Sequence, residues 1–264
     1  MQSLIIGRYV PGSSSIHQMD PRAKLLLVFF YVFVVFIANT FSSYALLGLY
    51  TFFIIILTKI PIRYLLLGLK PIIYVILFTF ILHLFMTKEG TMLFKIGYFE
   101  VYEQGVTQGV FIALRLLYLI LMTTILTLTT TPIEITDGME SLLGPFKKVG
   151  LPVHELALMM SISLRFIPTL MQETDKIMKA QTARGLDFSS GPIKARVSAI
   201  VPLLIPLFIS SFKRAEELAI AMEARGYRGG EGRTKLRKLD WGLSDSILLL
   251  LLLLVAVGLF ILRG

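Results

Sequence analysis

Long apolar runs, not alternating apolar and polar positions, set the rhythm of this chain. Leu25–Ala38 is unbroken, extended by Ala23 and by residues 39–41. Tyr44–Thr58, Pro71–Met86, Val110–Thr131 and Ile247–Leu262 follow, and of these only the Val110 run carries a charge, Arg115. A helix crosses a hydrocarbon core of about 30 Å with about 20 such residues, so the pattern predicts about five membrane-spanning helices. Arg22 and Lys24 precede the first run as they would in a leader peptide, but 24 residues lie ahead of the run and no small-x-small site follows it. It reads as a retained span. Ser198–Phe212 is also apolar, yet it is short and contains Pro202 and Pro206. Each proline deletes a backbone hydrogen bond that lipid cannot replace. That stretch reads as a helix lying at the membrane face or packed on another protein.

Between the fourth and last runs the pattern changes to helical periodicity with clear punctuation. Thr131-Pro132-Ile133-Glu134 forms a capping box, with Thr131 as N-cap, proline at the first helical position and Glu134 at the third. The helix it opens should stop near Gly144-Pro145. A second helix is predicted from Leu151-Pro152 to Ala183, with Pro168 as a candidate kink, and a third from Pro192 to Ala224. The organisation is therefore an all-α integral membrane protein. Residues 1–131 hold spans one to four, 132–240 form a module of three long amphipathic helices, and 241–264 are the C-terminal span.

Composition agrees: 55% of the residues are hydrophobic and 16% charged, with mean hydropathy +0.77, whereas a soluble domain carries about 25% charged residues. The absence of cysteine excludes disulfides, thiolate metal sites and a cysteine nucleophile. The net charge of +9 is unevenly spread. Segments 1–24, 59–70 and 132–240 together hold 22 of the 26 lysines and arginines, which by the positive-inside rule places them, with the N-terminus, on the cytoplasmic side. Loop 87–108 then lies outside.

Few residues suggest chemistry. His154-Glu155 begins like a zincin motif, but position 158 is Leu, so the second metal ligand is missing. His83 reads as interfacial. Arg115 stands about six residues inside its run, within snorkelling reach of headgroups. Asp20-Pro21 reads as an N-cap and first-turn proline. The mid-helix Arg165 reads as a partner for lipid or for a carboxylate of this chain. Arg225, Arg228, Arg233, Lys235, Arg237 and Lys238 form a basic run with one aromatic, Tyr227. Anionic lipid suits it better than nucleic acid, which would want stacking platforms. The chain contains no Gly-Lys dipeptide, so it lacks the phosphate-cradling P-loop. A secondary carrier or intramembrane enzyme is the alternative reading, but either would need ionisable groups at mid-membrane, and Arg115 and His83 are the candidates within the first four spans.

The second and third helices of the insert share an ending. Ala183-Arg184-Gly185 and Ala224-Arg225-Gly226 lie 41 positions apart, and counting back from them Asp175 matches Glu216, Ile177 matches Leu218 and Ala180 matches Ala221. Each glycine suits the left-handed position that ends a helix. Each arginine offers a rigid five-donor fork for a carboxylate or carbonyl pocket on a partner. The repeat pictures two cationic tips at matching depth on neighbouring helices.

These features resemble the transmembrane T component of energy-coupling factor transporters. The likeness is carried by Tyr9-Val10-Pro11-Gly12 through His17 to Asp20-Pro21-Arg22-Ala23-Lys24, and by Gly150-Leu151-Pro152 through Met159-Met160-Ser161 to Leu164-Arg165-Phe166-Ile167-Pro168. The paired Ala-Arg-Gly ends complete it. The resemblance implies a non-catalytic subunit of a vitamin or trace-metal importer that binds no cofactor of its own. Arg184 and Arg225 would insert into grooves on two ABC-type ATPase subunits, which use the ATP. The apolar face of the same helices would cradle a small substrate-binding membrane subunit.

Overall fold

In a computed structural model, the chain is described over residues 9–96, 99–186, 188, 192–229 and 239–263. Contacts divide it into two units, Met1–Leu142 with Lys238–Gly264, and Leu143–Arg237. The first comprises α1 (Ser15–Gln18), α2 (Pro21–Ile37), α3 (Phe41–Thr58), α4 (Ile62–Met86), β1 (Met92–Ile96) and β2 (Phe99–Tyr102). It continues with α5 (Glu103–Thr129), α6 (Pro132–Leu143, whose last residue belongs to the second unit) and the C-terminal α9 (Leu243–Arg263). The second holds a 3-10 turn, Gly144–Val149, then α7 (Val153–Ala183) and α8 (Ile193–Ala224).

Local chemistry explains the helix starts. Asp20 caps α2 through the Arg22 N–H, with Pro21 in the first turn. Thr40 caps α3 through the Ser43 N–H. The capping box at α6 is reciprocal: Thr131 Oγ1 accepts from the Glu134 N–H at 3.3 Å, and Glu134 Oε2 accepts from the Thr131 N–H at 2.9 Å. Helix α3 stops where Lys59 turns left-handed (φ 52°), its N–H bonding the Ile56 carbonyl just ahead of Pro61.

The core of the first unit gathers residues of α2, α3, α5 and α9 around Tyr31, Tyr44, Leu47, Tyr50, Met122 and Leu259, all essentially inaccessible. Tyr31 and Thr51 share a 2.6 Å hydroxyl contact, and the Tyr31 and Tyr50 rings stack. Helices α4 and α5 pack closely because Gly105 and Gly109 face α4. A Cβ on Gly105 would lie 3.1 Å from the His83 and Thr87 carbonyl oxygens, and one on Gly109 would lie 3.0 Å from the Phe80 ring. This glycine pair at four-residue spacing is a membrane helix-contact pattern. Outward, Phe29, Phe33, Phe36, Phe52 and Phe78 are each more than half exposed. Water would penalise so much apolar surface, whereas lipid accepts it.

Among the described residues six helices are long and apolar enough to cross a membrane: α3, α4, α5, α7, α8 (from Ser198) and α9. Helix α2, with 17 residues, is about 25 Å long at 1.5 Å per residue. Three differences from the hydropathy pattern have physical causes. Helix α4 begins at Ile62 and runs through Pro71, so Arg63 and Lys70 lie on helix rather than in a loop. Helix α8 continues through Pro202 and Pro206 for 32 residues. Each proline removes one backbone bond while the turns on both sides remain, so the helix expected from Pro192 to Ala224 is continuous. Its part Ser198–Ala224 is long and apolar enough to cross a membrane, where Ser198–Phe212 alone looked too short. Of the three helices expected between 132 and 240, α6 has 12 residues and its first eleven group with the first unit, which leaves two long ones.

The segment 87–108 is not a plain loop. It forms an antiparallel hairpin in which Met92 pairs with Tyr102 and Ile96 with Phe99, with a bulge between Met92 and Phe94, and α5 already begins at Glu103. Arg115 therefore sits deeper in its helix than its run suggests. Its Nη2 donates to the Ala38 carbonyl at the end of α2 (3.4 Å), and its guanidinium lies 5.1 Å from the Phe36 ring. A cation at a helix C-terminus meets the negative end of that dipole, so Arg115 ties α5 to α2.

Candidate functional site

Two places collect the residues singled out in the sequence. The first is a buried polar knot in the first unit. Asp20, Lys24 and Asp245 are each less than 5% exposed. Arg22 holds the Asp20 carboxylate two-pronged, Nε to Oδ1 at 3.0 Å and Nη2 to Oδ2 at 2.8 Å, and Nη2 also donates to the Leu239 carbonyl. Lys24 Nζ donates to the carbonyls of His17 (3.1 Å) and Thr129 (3.0 Å). Asp245 accepts from the Gly242 N–H at 2.9 Å and from the Asp20 N–H at 3.3 Å. His17 completes the set, one ring nitrogen bonding Ser14 Oγ and the other the Val10 carbonyl.

The knot holds two acids and two bases and ties together the starts of α2 and α9 and the end of α5. Burial pushes the Asp20 carboxyl up, but the two-pronged bond from Arg22, the Arg22 N–H and the nearby positive charges outweigh it. They hold the group below its ordinary value. The chemistry is that of a clasp: among the described residues every charge is occupied by a neighbour. Pro21, between Asp20 and Arg22, fixes the first turn of α2 and lies under Gly138 of α6, where a Cβ would come within 3.2 Å of Pro21 Cβ.

The second place is the pair of helix ends in the second unit. At the end of α7 the Gly185 N–H bonds the Thr182 carbonyl (2.9 Å) and the Leu186 N–H bonds the Gln181 carbonyl (3.0 Å). At the end of α8 the Gly226 N–H bonds Glu223 (2.9 Å) and the Tyr227 N–H bonds Met222 (3.0 Å). Both are Schellman motifs, with Gly185 at φ 89° and Gly226 at φ 76°, a region that side chains other than glycine's adopt at a cost. Arg184 and Arg225 occupy the same C-cap position with nearly identical backbone, φ −86° and ψ 8° against φ −86° and ψ 7°. Ala183, Arg184, Ala224 and Arg225 are all exposed, and among the described residues neither guanidinium has a hydrogen-bond or ion-pair partner. The shared backbone follows from the Schellman motif itself, and a dipole-capping role explains a cation at each end, but not why both are arginine between alanine and glycine.

The two tips lie at opposite ends of the α7–α8 pair. Glu173 of α7 accepts from Ser210 Oγ of α8 at 2.6 Å and pairs with Arg214 at 2.6 Å. Farther back, Ile162 and Phe166 share a groove with Leu218 and Met222. Numbers rising on α7 meet numbers falling on α8, so the two helices run antiparallel. From the Glu173 contact, Arg184 lies about 16 Å toward one end of the pair and Arg225 about 22 Å toward the other, at 1.5 Å per residue. A sequence repeat gives like ends, but a helical hairpin reverses their direction.

Arg165 points to the Arg225 end, where both line one cavity. Arg184 is not among that cavity's lining residues. Pro168 stays inside α7, which continues through it. His83 Nδ1 contacts the Thr79 carbonyl one turn back. Among the described residues no three His, Asp or Glu side chains converge as metal ligands. Arg233, Lys235, Arg237 and Lys238 of the basic run lie outside the described residues. Asp245 and the Gly105/Gly109 pair are the structural residues that periodicity alone passed over. The glycine spacing was visible in the sequence, whereas the Asp20–Asp245 contact spans 225 positions.

Comparison with known proteins follows the same outline. Residues 12–236 match the family described as CbiQ, cobalt transport protein. The chain is 66% identical over 264 residues, the full length of both, to the energy-coupling factor transporter transmembrane protein EcfT of Bacillus subtilis (strain 168). It is 55% identical over 261 residues, 99% of each chain, to the protein of that name from Exiguobacterium sibiricum. Against the Streptococcus thermophilus protein of the same name it is 50% identical over the whole of both chains.

Proposed function

Because this chain belongs to the CbiQ cobalt transport protein family, we propose that it is the transmembrane coupling subunit of an energy-coupling factor importer for vitamins or trace metals. It is a non-catalytic, multi-pass membrane component. Arg184 and Arg225 dock two ABC-type ATPase subunits, and α7 and α8 pass the motion of ATP binding and hydrolysis to a separate small membrane subunit that captures the substrate. The N-terminus and the α7–α8 hairpin face the cytoplasm, where ATP is available, and the basic run after Arg225 rests on anionic lipid.

The observation that carries this reading is the pair of Schellman-capped ends, each presenting an exposed arginine without a partner among the described residues. Their antiparallel placement supports it further. Two tips roughly 40 Å apart along a helix pair, at 1.5 Å per residue, can each engage a different ATPase, whereas two tips side by side would compete for one. The lack of a P-loop in the sequence supports leaving the hydrolysis to those partners.

Reconstitution in liposomes separates this from an autonomous carrier. The purified chain alone is expected to hydrolyse no ATP and to move none of a panel of labelled vitamins and divalent metal ions. Adding the ATPases and the capture subunit is expected to start ATP-dependent uptake. Uptake by the chain alone would establish the carrier instead.

A further inference from the structure

One cavity in the α7–α8 hairpin is built for more than helix packing. It encloses about 670 Å³ between the first half of α7 and the end of α8. Its floor is apolar: Leu158, Ile162 and Phe166 lie one turn apart on one face of α7, opposite Leu218 and Met222 of α8. Its rim carries three arginines, Arg165, Arg225 and Arg228, and among the described residues no acidic one lines it. All three are exposed, and among the described residues none has a carboxylate partner. The adjoining groove differs, because its one arginine, Arg214, is already neutralised by Glu173 at 2.6 Å. Three like charges around one recess repel one another until an anion joins them, and planar guanidiniums bind a carboxylate through paired bonds.

We propose that this cavity receives an acidic segment of the ATPase that docks at the α8 end. One carboxylate is held between Arg165 and Arg225, an adjoining apolar side chain fills the floor over Phe166 and Leu218, and Arg228 closes the rim. The proposal rests on the docking reading above and makes it two-way: Arg225 enters the partner, and a side chain of the partner enters this chain. A segment of the ATPase supplies a carboxylate and an apolar side chain together and is continuous with the Arg225 contact, whereas a free phosphate would satisfy the rim and leave the apolar floor empty. In sequence the position equivalent to Arg228 at the α7 end is Asp187, so the repeated motif itself carries different charge at its two ends. The two ATPase contacts are then not equivalent, and the subunit at the α8 end is the one that presents the acid.

The test uses the whole complex, this chain with its ATPases and capture subunit, in nanodiscs of phosphatidylcholine. Arg165→Gln is expected to weaken ATPase association on the order of tenfold, the size of one lost charge-assisted bond. Arg165→Lys should recover part of it, and an unchanged Tm in both variants would show that folding is intact. A photo-crosslinking side chain in place of Ser161, which also lines the cavity, is expected to capture an ATPase. If Arg225→Glu releases the ATPase while Arg165→Gln does not and no adduct forms at position 161, the cavity proposal is overturned and the docking reading stands. If Arg225→Glu releases nothing, the docking reading itself is overturned. A defect of Arg165→Gln that appears only when phosphatidylglycerol is added assigns the cavity to a lipid headgroup and overturns the proposal.

Discussion

Reversing both tip charges, Arg184→Glu with Arg225→Glu, is expected to abolish ATPase co-purification and reduce uptake to background. When the two ATPase subunits dock as a joined pair, two weak contacts on one rigid hairpin gain avidity from each other, because the second forms at high effective concentration once the first is made. Either reversal alone should therefore weaken association by one to two orders of magnitude, roughly the avidity contribution. The pair should leave no measurable complex. Stability should barely move: neither guanidinium is bonded among the described residues, and a carboxylate at a helix C-terminus costs only about 0.3–1 kcal/mol. Arg→Lys at both ends keeps the charge but loses the rigid fork, so an intermediate result is expected. Melting curves and pull-downs on the same preparations separate docking from folding. Full association in the double reversal would remove the basis of the coupling role.

Asp20→Ala is expected to damage the fold and not the tips. It removes the N-cap of α2, strips Arg22 of its two-pronged partner, and leaves Lys24 with the more distant Glu134 and Asp245 and Arg22 with the more distant Asp240 and Asp245. Losing one partner of a buried pair costs about 3–5 kcal/mol. Arg22 is 24% exposed at its side chain and can recruit water, so about 2–3 kcal/mol is the discounted expectation, cap included. Asp20→Asn keeps an N-cap oxygen and loses the charge, and should lose about half as much. The Asp20 carboxyl is held below its ordinary value of 3.8. Its contribution is therefore fully present above that pH and is lost as pH falls through the lower folded value. The gap in Tm between wild type and Asp20→Asn should stay constant from neutral pH to about pH 4 and close only below it. A gap that closed between pH 6 and 8 would show that another group controls the clasp.

The parts of this architecture that chain punctuation controls were legible from residues alone. Pro152 and Ala183 bracket α7, Pro192 and Ala224 bracket α8, and Thr131 with Glu134 opens α6, because caps, prolines and terminal glycines act within four or five positions. What depended on distant partners was not. The clasp joins Asp20 to Asp245, and no local pattern marks Asp245 as anything but the polar edge of an apolar run. The two arginine tips were visible as a repeat, yet their placement at opposite ends follows from Glu173 meeting Ser210 and Arg214, a fact of packing. Pro71 looked like the start of its apolar run, and α4 runs through it from Ile62 because the neighbouring turns retain their bonds. The hairpin at Met92–Tyr102 is short and bulged, so its alternation over a few residues was too weak to rise above a loop.

The central claim, that both helix ends seat in ATPase subunits, can be tested through the absence of native cysteine. Ala183→Cys and Ala224→Cys each introduce a single thiol beside an intact arginine, at positions exposed in the free chain. A short bifunctional reagent applied to the assembled transporter is expected to join each thiol to an ATPase subunit, the two positions giving adducts with different copies. Thiols at both positions that stay freely reactive in the assembled complex and form no adduct with any ATPase would contradict it.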